Sequence, residues 1–276
     1  MGHVSSSLGR LHHPTIGLLD QMVTTLTASA TTTTFWPFIE AVGTVIHSYG
    51  ESVNVLSLTP ADAAAAVNLE TEFIPYKHAA AVFSYYVDGT LDNHLRGTNN
   101  AAYTYGNALN DSAFSLGIWV NPRTYASNAR SLMSVYDATG LAREWDFRIN
   151  TSGNLVIEFY DESADTTEIG TGTGVLTLNE WSFVCMSYDG NEDIPTAQLY
   201  INGATDGNAS TAESGAYVAM EDTATPLLIG ARGTTAVPAQ EIEGRLALPF
   251  IVGKALTGAE VSVLYKLGQR LLDIAL

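Results

Sequence analysis

The chain has a single cysteine, Cys185, in 276 residues. That excludes an internal disulfide and any fold that depends on a disulfide framework. Cys185 lies inside an apolar run, which reads as a buried, inert thiol. Basic residues are scarce as well: 12 Lys and Arg stand against 29 Asp and Glu, a formal net charge of −17. A field of that sign repels phosphate backbones and argues against a nucleic-acid partner. No apolar run approaches the ~18 residues of a membrane-spanning helix, so no membrane partner is expected. The N-terminus lacks the basic start, apolar centre and small-residue cleavage site of a secretory signal, so a location reached without Sec export is expected. Catalytic signatures are equally thin. There is no Ser/His/Asp arrangement, phosphate-binding glycine loop or Cys/His metal spacing, and His47, His78 and His94 are scattered.

What is present is a series of short apolar segments punctuated by turn residues. The most informative is Trp181–Gly203, WSFVCMSYDGNEDIPTAQLYING. Its apolar runs, Trp181–Tyr188 and Ala197–Ile201, flank a polar bridge and predict a β-hairpin. Trp181, Phe183 and Cys185 alternate with Val184, Met186 and Tyr188, so the first run is apolar at both parities. Such a strand is covered on both faces and sits centrally in a sheet. Asn202-Gly203 predicts a tight turn, because both residue types accept positive φ. In Phe114–Pro122, alternation puts Phe114, Leu116, Ile118 and Val120 on one face and Ser115, Gly117, Trp119 and Asn121 on the other. Trp145, Phe147 and Ile149 alternate with Glu144, Asp146 and Arg148. Ser152-Gly153 then turns the chain into Leu155, Ile157 and Phe159.

Further strands are expected at Val53–Leu58, Ala79–Val87, Ser131–Tyr136, Val175–Leu178, Pro226–Gly230 and Gly244–Val252, with Gly170–Gly174 as a loop. Ala61–Val67 is Ala-rich, a short helix or an insertion. Pro14–Ala28 has Ile16, Leu19, Met22, Val23 and Leu26 at helical spacing, and proline suits a first helical turn. Thr257 precedes Glu260 by three residues, the spacing of a capping box, and opens a C-terminal helix. Many short strands with turns between them predict an all-β, antiparallel two-sheet sandwich, with a short C-terminal helix and an N-terminal extension.

Several blocks, in order, resemble the laminin-G-like, concanavalin A-like jelly-roll domains. They are FWPFIEAVGTVI, DGTLDNHL, FSLGIWVNP, INTSGNLVIEF, LNEWSFVCMSYDG with LYING, and LLIGAR with IEGRLALPFIVGKALTGAEVSVLY. The resemblance runs from about Thr33 to Gln269 and implies a jelly roll over 33–276, with 53–82 a weakly matched insertion and 1–32 an N-terminal arm. One departure stands out. After Gly244 the family usually carries an acidic pair, whereas this chain has Arg245-Leu246-Ala247-Leu248. The superfamily includes lectins, glucanases and phage virion proteins, and fold alone does not choose among them.

The candidate ligand-binding residues are Trp119, Glu144, Asp146, Arg148 and Glu158. A Trp on the face opposite the core stripe is a sugar-stacking platform if open and a packing residue if covered. Glu144, Asp146 and Arg148 share one face by alternation, but a retaining glycosidase needs two carboxyls about 5–5.5 Å apart, and an arginine stands where the second belongs. If Ile149 faces Leu155 across the hairpin, Asp146 faces Glu158. Like charges directly opposite require a cation, supplied by Arg148 or Arg143 or by a bound metal ion. Asp189, Asn191 and Asp193 mimic the start of a calcium loop, but Ile194 stands where its glycine belongs and Tyr200 where its bidentate glutamate belongs. No cofactor is expected, with calcium the one alternative.

The expected function is a non-catalytic jelly-roll binding or structural module. One version is a homo-oligomeric virion surface protein docked through Pro14, Ile16, Leu19, Met22, Val23 and Leu26 of the arm. The other is a soluble lectin for cell-surface glycan, and the two are compatible.

Overall fold

The computed structural model describes residues 13–38, 46–49, 57–60, 69–70, 84–88, 94–125, 128–191, 197–207, 210–213, 215–233 and 238–272; side chains are described for these except 13–16, 46–47, 57–60, 69–70, 84–88, 210–213 and 238. Two antiparallel sheets face each other. The first runs Ala204–Thr205, Gln198–Ile201, Ser182–Tyr188, Phe114–Thr124, Glu243–Val252, Ser84–Asp88, Leu69–Glu70, with Thr33–Phe35 also paired to Glu243–Val252. The second runs Ser210–Glu213, Thr166–Val175, Asn154–Asp161, Ala142–Ile149, Arg130–Asp137, Leu227–Ile229, Leu95–Arg96, Ser57–Pro60, Ile46–His47.

Alternation decides what each sheet buries. Phe114, Leu116, Ile118 and Val120 point between the sheets and meet Trp145, Phe147, Ile149, Leu155, Ile157 and Phe159 from the opposite layer. The strand Ser182–Tyr188 is central and buried along its whole length. Val184, Met186 and Tyr188 join the inter-sheet core, while Phe183 and Cys185 point outward. Asn202 and Gly203 both take positive φ, 52° and 78°, and turn the chain from Gln198–Ile201 into Ala204–Thr205.

A third layer makes that outward face apolar. Helix α1 (His13–Thr27) and helix α2 (Gly258–Leu271) lie across the outside of the first sheet. Leu19, Met22 and Leu26 of α1 and Val261, Leu264 and Leu267 of α2 pack with Trp119, Phe183, Cys185 and Phe250. Thr257 and Glu260 form the expected capping box at the start of α2. Lys254 ties the helices together: its ammonium donates to the carbonyls of Thr25 (3.0 Å) and Ala28 (2.7 Å) and to Glu260 Oε1 (2.7 Å). A cation there also complements the negative end of the α1 dipole.

Three expectations change. The described part of the arm, from residue 13, is not left over to grip a partner, because Leu19, Met22 and Leu26 are fully buried against their own sheet and Val23 packs beside them; residues 1–12 lie outside the described ones. Pro14 and Ile16 belong to the first turn of α1, where side chains lie outside the described ones. The Gly170–Gly174 stretch is not a loop but part of the strand Thr166–Val175. Its glycines admit a close neighbour: a Cβ on Gly172 would stand 1.9 Å from Asp206 Oδ2. Of the strand expected at Val175–Leu178, only Val175 is in a strand, and the rest falls in the connection 176–181. Ala61–Val67 lies outside the described residues, as does residues 53–56 of the expected Val53–Leu58 strand.

Candidate ligand-binding site

Trp119 projects from the first sheet into the helical layer, as its parity requires, and it is covered. Its side chain is 1% exposed, stacked on Tyr265 at 5.6 Å and tilted against Phe183 at 5.7 Å. A sugar platform at Trp119 is therefore excluded. With α1 and α2 in place, the outer face of the first sheet is closed over its central strands. On the outer face of the second sheet Ser131, Ser134 and Asp146 are fully buried and Tyr136, Glu158 and Tyr160 nearly so, leaving the edges of Arg143, Arg148 and Arg232 partly exposed; the segment after Gly230 packs on this face. That segment is fixed by Ser134 Oγ donating to the Ala231 carbonyl (3.0 Å) and Ser131 N–H to the Gln240 carbonyl (2.8 Å).

On this face the register is the expected one: Ile149 faces Leu155 and Asp146 faces Glu158. Arginine supplies the cation. Arg148 Nη1 donates to both carboxylates, 3.1 Å from Asp146 Oδ2 and in closer contact with Glu158 Oε2. Arg232 Nη1 adds a bond to Asp146 Oδ2 at 3.0 Å. The remaining oxygens are also used: Ser131 Oγ donates to Asp146 Oδ1 (2.6 Å) and Tyr160 OH to Glu158 Oε1 (2.6 Å). Burial, then the Glu158 carboxylate, pushes the Tyr160 phenol up, so it stays a donor. Burial works against the Arg148 charge, but Asp146 and Glu158 outweigh it and raise its pKa.

The arginines also stack. Arg232 lies 4.4 Å over the Tyr136 ring and Arg143 lies 4.7 Å over the Tyr160 ring, while the two rings meet edge to face at 5.2 Å. The result is a ladder of guanidinium, tyrosine, tyrosine and guanidinium across the strands. Arg143 is clamped in turn by Glu162 through Nε (2.7 Å) and Nη2 (2.8 Å), and by Asp165 (2.7 Å). Thr167, Ile169 and Thr171 continue the face, half-buried, opposite Tyr160, Glu158 and Val156.

Glu144 is absent from this arrangement. Val135 pairs with Trp145 but Tyr136 pairs with Arg143, so Glu144 is an extra residue in a β-bulge. The bulge turns its side chain off the sheet face and buries it at the rim. There Glu144 Oε1 accepts from Thr223 N–H (2.8 Å) and Thr223 Oγ1 (2.7 Å). Burial, against the bonds from Thr223, pushes its pKa up to about 8. Strict alternation cannot reveal this, since a bulge shifts parity at one point without a change in composition.

Asp189 and Asn191 form a closed local turn, with Asn191 Nδ2 donating to Asp189 Oδ2 at 2.7 Å. Asp193 lies outside the described residues. Among the described residues no group of three or more His, Cys, Asp and Glu side chains is placed to hold a metal ion. Of the two arginines expected as the counter-ion to Asp146 and Glu158, Arg148 takes that place and Arg143 pairs instead with Glu162 and Asp165. Sequence reasoning did not single out Tyr136, Tyr160 or Arg232, and Arg232 reaches the face only through the segment after Gly230.

Residues 95–262, more than half of the chain, match the profile of the concanavalin A-like lectin/glucanases superfamily. No curated protein matches the sequence. Among solved structures, the receptor-binding domain of botulinum neurotoxin type G superposes with a TM-score of 0.52 at 12% identity, over 87% of this chain and 52% of that one. The binding domain of Paraclostridial mosquitocidal protein 1 superposes at 0.54 and 15% identity, over 85% and 52%. The chain thus spans about half the length of these binding domains.

Proposed function

Because this chain belongs to the concanavalin A-like lectin/glucanases superfamily, we propose that it is a non-catalytic binding module that recognises neutral glycans on the outer face of its second sheet. The observation that carries the reading is the commitment of every oxygen of Asp146 and Glu158. A retaining glycosidase needs one carboxyl to carry a proton and another free to attack. Here both are fixed as acceptors by Arg148, Arg232, Ser131 and Tyr160.

Such a face suits recognition. The polar groups it offers to sugar hydroxyls are the guanidinium edges of Arg143, Arg148 and Arg232, partly exposed above buried tyrosine rings, and the half-buried hydroxyls of Thr167 and Thr171. Charge selects among glycans. Arg143, Arg148 and Arg232 stand against Asp146, Glu158, Glu162 and Asp165, and the whole chain carries −17. Carboxylates thus engage each of these three guanidinium groups, which disfavours a sialylated or sulfated sugar at this cluster. That neighbours of the same fold are named for binding supports the module reading.

The test is an array of neutral, sialylated and sulfated oligosaccharides probed with wild type, Arg232→Ala and a control at exposed Lys266 on α2. Binding to neutral glycans, lost in folded Arg232→Ala and kept in Lys266→Ala, is expected. Binding confined to acidic glycans, or untouched by Arg232→Ala, contradicts the reading.

A further inference from the structure

The outer face of the second sheet offers its contacts along a line and not around a point. Glu158 pairs with Ile169, so Thr167 and Thr171 stand two residues to either side of Ile169 on the same face. The two threonines are four residues apart, about 13 Å at about 3.3 Å per residue. Both side chains are half-buried, and among the described residues neither hydroxyl has a hydrogen-bond partner. Thr173, the next threonine on this face, is already engaged: its Oγ1 donates to the Asp206 carbonyl (2.7 Å). The free hydroxyls of this strand therefore end at Thr171.

The guanidinium groups stand beside this line. Arg148 bonds Glu158, and Arg232 comes within 3.8 Å of the same carboxylate, so both gather at the residue that faces Ile169. Arg143 lies over the Tyr160 ring, and Tyr160 faces Thr167. Val156, which faces Thr171, is almost fully buried and adds no polar group there. The seam between Asn154–Asp161 and Thr166–Val175 thus has guanidinium edges on one side and Thr167, Ile169 and Thr171 on the other.

Resting on the neutral-glycan reading, we propose that the ligand is a linear glycan several sugars long, laid along this seam, with Thr167 and Thr171 as the residues that set its length. A site for one small molecule gathers its polar groups around a concavity. Here the two free hydroxyls are farther apart than one sugar ring is long, so a single sugar meets only one of them. A linear chain meets both. The sugar over Ile169 turns its C–H surface to the aliphatic side chain and its hydroxyl edge to Arg148 and Arg232, while its neighbours on either side reach Thr167 and Thr171. Each such hydrogen bond is modest by itself, so affinity accumulates with chain length.

Calorimetric titration of the full chain with β-1,4-glucan, β-1,4-mannan and α-1,4-glucan oligosaccharides, from disaccharide to hexasaccharide, tests this. In a series that binds, affinity is expected to rise by about tenfold or more from disaccharide to hexasaccharide. Thr167→Val and Thr171→Val remove a hydroxyl, keep the branched shape and suit a strand. Each is expected to weaken hexasaccharide binding by about threefold to tenfold, and the two together to bring it close to that of the disaccharide. Affinity that is flat with length, or a hexasaccharide indifferent to both valines, overturns the inference and leaves neutral-glycan binding in place. So does a failure of all three series while other neutral glycans on the array still bind. No neutral binding at all on the array overturns the reading beneath it, and the inference falls with that reading.

Discussion

Gly268 of α2 lies so close to Trp119 that a Cβ added there would stand 2.2 Å from the indole Nε1. This contact lets α2 sit flat on the first sheet, with Tyr265 stacked on the same indole. Alanine is the better helix former by about 1 kcal/mol, yet overpacking a rigid buried ring costs about 1–3 kcal/mol. Gly268→Ala should therefore lower stability by a net ~1 kcal/mol, read from urea unfolding midpoints. An unchanged or raised midpoint would mean that α2 does not rest on Trp119.

Arg148 hydrogen-bonds two carboxylates at once, whereas Arg232 hydrogen-bonds only Asp146 and lies 3.8 Å from Glu158 Oε2. Arg148→Met leaves Asp146 and Glu158 facing each other and should cost about 3–5 kcal/mol at neutral pH, the scale for breaking a buried ion pair. Arg232→Met should cost less than half as much, because Asp146 keeps Arg148. Equilibrium unfolding of both variants gives the order, and equal losses would mean that the two arginines share the load.

Glu144 makes stability depend on pH in a direction unusual for a carboxyl. Its pKa is higher folded, about 8, than its ordinary value of 4.5. The folded state therefore binds the proton more tightly, and the stability so contributed is complete below pH 4.5 and is lost as pH rises through about 8. Glu144→Gln keeps a carbonyl for Thr223 and carries no charge. Its melting temperature should match wild type near pH 5 and exceed it near pH 9, so a constant difference across that range would exclude the account.

Helix α1 is part of the domain because Leu19, Met22 and Leu26 are fully buried. Leu19→Ala should cost about 2–4 kcal/mol. A cost near zero in urea unfolding would return α1 to the role of a free arm.

The strands were readable because period-two patterning survives wherever a sheet has one dry face. Phe114–Val120 and Trp145–Ile149 show their cores directly, and the doubly apolar Trp181–Tyr188 run announced a covered outer face. The covering was the harder part. The apolar stripe of α1 has the same spacing whether it meets a partner or its own sheet, so Leu19 and Met22 alone did not distinguish the two. The pairing of Asp146 with Glu158 followed from register. The bulge at Glu144 and the arrival of Arg232 did not, because both depend on where a segment far along the chain folds back.

The central claim is that ligand meets the second sheet and not the helix-covered first. The most direct measurement is the amide hydrogen-exchange footprint left by the strongest neutral oligosaccharide from the array. Protection gained within residues 130–137, 142–149, 154–161 and 166–175 is the expected result. Protection gained instead within 114–124, 182–188 or 243–252 would contradict it.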